Sequence, residues 1–312
     1  MSTTTPDAAE LRRAIYGKGA ANRTDLVGLI GLGPEIGDDP AGIALVAEVA
    51  RDVMVGDADT PGYISEEDAD WLTARLGDGG GLSCRAEFET LKSVLAHAVS
   101  APPSLVAFAV REIERAILTG RRGPLGGVEH EPGIVTASDV EALRVIAFAP
   151  TAGAAAHVDR ATAEALFDIA HATATAPNDP AFADFFARAI GNYLIGAVFV
   201  AAPRHEEADD GFALGLGGFL RSLAGGLMAP NAADGRKSVD QLAEERYHQE
   251  NAETEARIEA AAKIDAGDAK WVLGHLTRGG ELSAAERRLL GFLRDESTSA
   301  PAQLAALFDA AA

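Results

Sequence analysis

Apolar residues recur along this chain at intervals of three and four, the period of an amphipathic helix. The pattern runs through Phe88, Leu91, Val94 and Leu95, and through Leu105, Phe108, Ile113 and Ile117. It returns in Phe182, Phe185, Phe186, Ile190 and Leu194, and in Leu289, Leu290, Phe292 and Leu293. Start signals stand where such runs begin. Ser65 precedes Glu66, Glu67 and Asp68, and Ser283-Ala-Ala-Glu286 reads as a capping box. Thr136-Ala-Ser-Asp139 and Asp159 read as further N-caps. Glycines at 79–81 and 279–280 and prolines at 102 and 301 mark the ends. Period-two alternation is scarce and interrupted by glycine, so the pattern predicts an all-α fold.

The same pattern repeats. Residues 64–83 and 264–283 coincide without a gap at Ile64, Asp68, Ala69, Trp71, Leu76, Gly79, Gly80, Leu82 and Ser83 and their counterparts from Ile264 to Ser283. The match includes Trp71 and Trp271, the two tryptophans of the chain. After one deletion Ser100-Ala-Pro answers Ser299-Ala-Pro, and upstream Leu11-Arg12 answers Leu143-Arg144 and Asp38-Asp39-Pro40 answers Asn178-Asp179-Pro180. The expected organisation is a disordered start at 1–7, a helical unit at 8–120, a linker at 121–133 and a second copy at 134–312. That second copy carries an insertion at 200–262. Within it, 211–230 is rich in Gly, Leu and Phe, and 238–262 reads as a long charged helix. The tryptophans read as core anchors of their helices.

Composition narrows the partners. The 312 residues carry 47 acids against 27 bases, a formal charge of −20. Both halves share the excess, so a nucleic-acid backbone is repelled over most of the surface. Cations and basic protein surfaces are the welcome partners, and segment 211–262 is the expected docking surface for a protein. No apolar run spans a membrane, and the first residues lack the marks of a signal peptide, so a cytoplasmic location is expected. The single Cys84 excludes a disulfide framework; beside an N-cap, its thiol would be acidified by the helix terminus. The histidines show no paired metal-ligand spacing. The glycines at 31, 33 and 37 hint at a dinucleotide-binding turn, but no strand follows them.

One loop carries cation chemistry. From Asp57 to Asp68 the residues fit several positions of a twelve-residue Ca²⁺ loop: Asp57 at the first, Asp59 at the third, Gly62 at the sixth and Asp68 at the twelfth. Pro61 and the short Asp68 depart from that pattern.

Gly279-Gly-Glu-Leu-Ser-Ala-Ala-Glu286 between two helices resembles the helical tellurite-resistance protein B-like (TerB-like) family, as does Val158–Phe167 leading into Asn178-Asp179-Pro180. The resemblance implies an all-α bundle with acidic metal-binding residues, associated with stress-response or membrane-linked assemblies. By position it assigns Asp159 and Glu286 to the acidic sites. The acidic turn expected before Val158 is replaced by Ala149–Ala156, which has no acid. The function expected is a non-enzymatic scaffold or regulatory module, with Ca²⁺ or another divalent cation as its candidate ligand. A Ca²⁺ sensor acting through 57–68 and an enzyme with a site between the two copies are the alternatives.

Overall fold

The structure, a computed structural model, describes residues 7–56, 61–77, 81–120, 131–149, 158–195, 263–278 and 280–310. Most of the expected linker and all of the 200–262 insertion, with its charged helix, lie outside the described residues. Among the described residues the fold is helical and contains no strand, so the all-α reading holds. None of these helices is long and apolar enough to cross a membrane.

The first half comprises α1 (Ala8–Tyr16), α2 (Arg23–Gly31), α3 (Gly33–Ile36), α4 (Pro40–Arg51), α5 (Glu66–Thr73), α6 (Arg85–His97) and α7 (Pro103–Thr119). A π-helical turn, Asp52–Gly56, extends α4. The second comprises α8 (Ala137–Ala147), α9 (Arg160–Ala172), α10 (Pro180–Ile195), α11 (Ala266–Leu276), α12 (Ala284–Glu296) and α13 (Ala302–Ala310).

The caps read from sequence set these boundaries. Ser65 with Asp68, Thr136 with Asp139 and Ser283 with Glu286 form reciprocal capping boxes, and Asp159 accepts from the Thr162 amide at 2.7 Å. At α6 the cap is Cys84 rather than Ser83, with Glu87 at the third helical position. The caps of α6 and α12 are therefore one residue closer in sequence than the two tryptophans. Gly81 and Gly280, each three residues before those caps, both have positive φ, 92° and 80°.

In the first half α4 packs along α6, and in the second α10 packs along α12. Val46, Val49, Leu91 and Val94 fill one interface, and Phe186, Ile190, Leu289 and Leu290 the other, all fully buried. The start of each tryptophan-bearing helix is tied to the turn before the last helix of its half. Ile64 N donates to Ser100 O at 2.9 Å, and Ile264 N donates to Ser299 O at 3.1 Å. Helix α7 is the seam: it packs on α5 of its own half and on α8 and α9 of the other, with Leu105, Ile113 and Ile117 buried. The buried side chains of both halves form one continuous cluster.

Candidate functional site

Helix α9 starts at its Asp159 cap, which leaves Arg160, the first helical residue, on the outside of the bundle. Arg160, Glu164 and Asp168 follow at steps of four and line one face. Helix α11 starts at Asp265, which accepts from Asp268 N at 2.7 Å. Trp271 and His275 then stand one turn apart, facing α9, and Arg278 follows the helix end. These six residues line an open cleft of about 260 Å³.

Its wall is aromatic. Phe167 is buried and stacks on His275, centroids 4.4 Å apart, while meeting Trp271 edge-on at 5.5 Å. Tyr193 of α10 packs against Trp271 at 4.8 Å. The Arg160 guanidinium lies 5.5 Å from the Trp271 ring centroid and donates to Glu164 Oε1 at 3.0 Å. That hydrogen bond holds the Glu164 carboxyl below its ordinary range. His275 is 4% exposed, and its Nδ1 has no hydrogen-bond partner among the described residues. Burial, then the positive Arg278 and then His171 keep the His275 imidazole below the usual histidine range. Deeper in, His171 lies with its ring 6.2 Å from that of His275 and its Nε2 3.3 Å from Glu286 Oε1.

The first half has a matching but closed arrangement. Arg23, the first residue of α2, lies 4.6 Å from the Trp71 ring centroid and is ion-paired with Asp68. Arg75, at the place His275 takes in α11, covers the ring at 4.3 Å and donates to Trp71 O at 2.8 Å. Neither tryptophan is the buried anchor expected from sequence. Both are partly exposed, because each ring lies under a guanidinium at the edge of the core rather than within it.

Of the acidic residues singled out from sequence, the described ones, Asp68, Asp159 and Glu286, each serve the start of a different helix. Asp57 and Asp59 lie outside the described residues. Burial raises Asp68, but its Ser65 hydrogen bonds and Arg23 outweigh this and hold it low. Asp159 caps α9, and Glu286 closes the α12 capping box, with Oε2 accepting from Ser283 N at 2.7 Å. Among the described residues no three His, Cys, Asp or Glu side chains form a metal-ligating group. Cys84 reverses expectation, since desolvation raises its thiol despite the helix terminus. Segment 211–262 lies outside the described residues.

Sequence reasoning missed Arg23, Arg160, His171 and His275. A signal existed for the arginines, which both follow a helix cap directly. None existed for the histidines, whose meeting depends on how α9 and α11 pack. Neither family models, nor curated proteins, nor solved structures show a match to this chain.

Proposed function

We propose that this chain is a non-enzymatic recognition module of the TerB-like type, built from two tandem copies of one helical unit, whose contact surfaces are the two arginine-covered tryptophans. The observation that carries the reading is the recurrence of an arginine, first in its helix, over a partly exposed tryptophan in both halves. Leaving so large an apolar ring at the surface forgoes burial, and tryptophan, tyrosine and arginine are the side chains that dominate binding hot spots. The duplication is supported by the paired Ile64–Ser100 and Ile264–Ser299 hydrogen bonds and by the matched α4–α6 and α10–α12 packing. The positive-φ glycines and the caps agree with a one-residue deletion between Leu76 and Gly81, on which reading Cys84 rather than Ser83 answers Ser283. A stress-response setting follows from the resemblance alone. A divalent cation enters only through the 57–68 loop, where it would compete with Arg23 for Asp68.

The test is affinity capture with three proteins: the intact chain, a Trp71→Ala/Trp271→Ala variant, and a chain lacking 205–262. A partner held by the first and third but lost from the second, with its helical circular dichroism unchanged, supports the reading. Capture that survives loss of both tryptophans, or that depends on 205–262 instead, overturns it.

A further inference from the structure

We propose that the cleft between α9 and α11 binds a small zwitterion of the α-amino acid class, its ammonium on Asp168, its carboxylate on Arg278, and its side chain against the exposed part of Trp271. Of the four charges lining the cleft, Arg160 and Glu164 satisfy one another at 3.0 Å. Asp168 and Arg278 share the cleft, yet neither forms an ion pair with the other or with any other described residue. Both fields converge on the same ring: Arg278 disfavours and Asp168 favours a positive charge on His275. Two opposite charges held apart across one opening present a dipole, and the complementary ligand is a dipole reversed. A simple anion would face Asp168 and Glu164, and a metal cation would face Arg160 and Arg278.

Size and packing agree. At about 260 Å³ the cleft lies just below the usual range of ligand pockets, which suits a small molecule and falls short of a nucleotide. The first half shows what a closed version looks like: there Arg75 lies on the tryptophan ring, whereas His275 leaves the Trp271 side of the cleft open.

The inference rests on the recognition reading of the Trp271 face. Its test uses purified protein alone, so failure of partner capture leaves it standing, and its own failure leaves capture through Trp71 untouched. In the full chain carrying Trp71→Phe, Trp271 is the sole tryptophan, and its emission is titrated with each proteinogenic amino acid. At least one should give a saturable change and, at tenfold excess over Kd, a rise in Tm of about 2–4 °C. The N-acetyl and methyl-ester derivatives of that amino acid should give neither. Asp168→Asn and Arg278→Gln, both at exposed positions, should each weaken binding about tenfold. The proposal is overturned if no amino acid saturates up to about 20 mM. Binding indifferent to both substitutions, or equally strong with the blocked derivatives, overturns it too.

Discussion

Two buried glutamates hold equivalent places and use their second oxygen differently. Glu87 Oε2 accepts from Ser83 N at 2.5 Å and Cys84 N at 3.4 Å, while Oε1 accepts from Gly77 N at 3.1 Å. Glu286 keeps the cap but turns Oε1 toward His171. Removing Glu87 strands several backbone donors at once, so Glu87→Ala should cost about 2–4 kcal/mol in urea denaturation, and Glu87→Gln about half as much. His275 makes a second prediction. Its folded-state pKa is depressed, so the unfolded chain takes up the proton first; stability is undiminished above the unfolded value of about 6.5 and falls as pH drops toward the folded value. His275→Phe keeps the stack on Phe167 and removes both the titration and the unpaired Nδ1. Its Tm should stay within about 2 °C of the parent near pH 7.5 and exceed the parent's near pH 5.5. The caps at Ser65, Thr136 and Ser283 were legible because a capping box closes within four residues. The Arg23–Trp71 and Arg160–Trp271 stacks and the His171–Glu286 contact were not, because their partners are far apart in sequence and meet only through packing.

Among the helices, the sequence pattern found the long members and their caps, since three-and-four spacing is a local property. It named no start for α6, because cysteine is not a favoured cap; here Glu87 supplies the capping contacts that the Cys84 side chain does not. It gave no warning of the π turn at Asp52–Gly56, where three consecutive residues, Val53, Met54 and Val55, are all buried. Glycine within helices separates local from tertiary control most cleanly. Gly191 in α10 faces the ring of Phe292, and a methyl there would overlap it. Gly274 in α11 is exposed with nothing close to its missing Cβ. Helix propensity alone would make both changes to alanine favourable by about 1 kcal/mol. Gly274→Ala should gain about that much, while Gly191→Ala should lose about 1–3 kcal/mol through the forced shift of the α10–α12 interface. Equilibrium unfolding of the two single variants decides the point, and equal signs would show that the α10–α12 contact is looser than described.

For the molecule as a whole, the two halves could behave as independent units or as one. The sequence pattern marks the helices but not their coupling, because the faces that join the halves read as ordinary helical stripes. The coupling runs through α7, with α6 adding a contact on α8. Leu105, Ile113 and Ile117 are fully buried, and the helix meets α5 on one side and α8 and α9 on the other. Loosening either half therefore uncovers apolar surface belonging to its neighbour, and both should unfold in one cooperative step. Trp71 and Trp271 report the two halves separately when the other is replaced by phenylalanine. Denaturation midpoints of Trp71→Phe and Trp271→Phe, each corrected by the circular-dichroism midpoint of the same variant, should coincide with that global transition. Ile113→Ala, a truncation in the seam, should lower both by the same amount, corresponding to about 2–5 kcal/mol. A fluorescence midpoint that precedes the loss of helix in either variant would mean that the halves melt separately, and that α7 belongs energetically to the first alone.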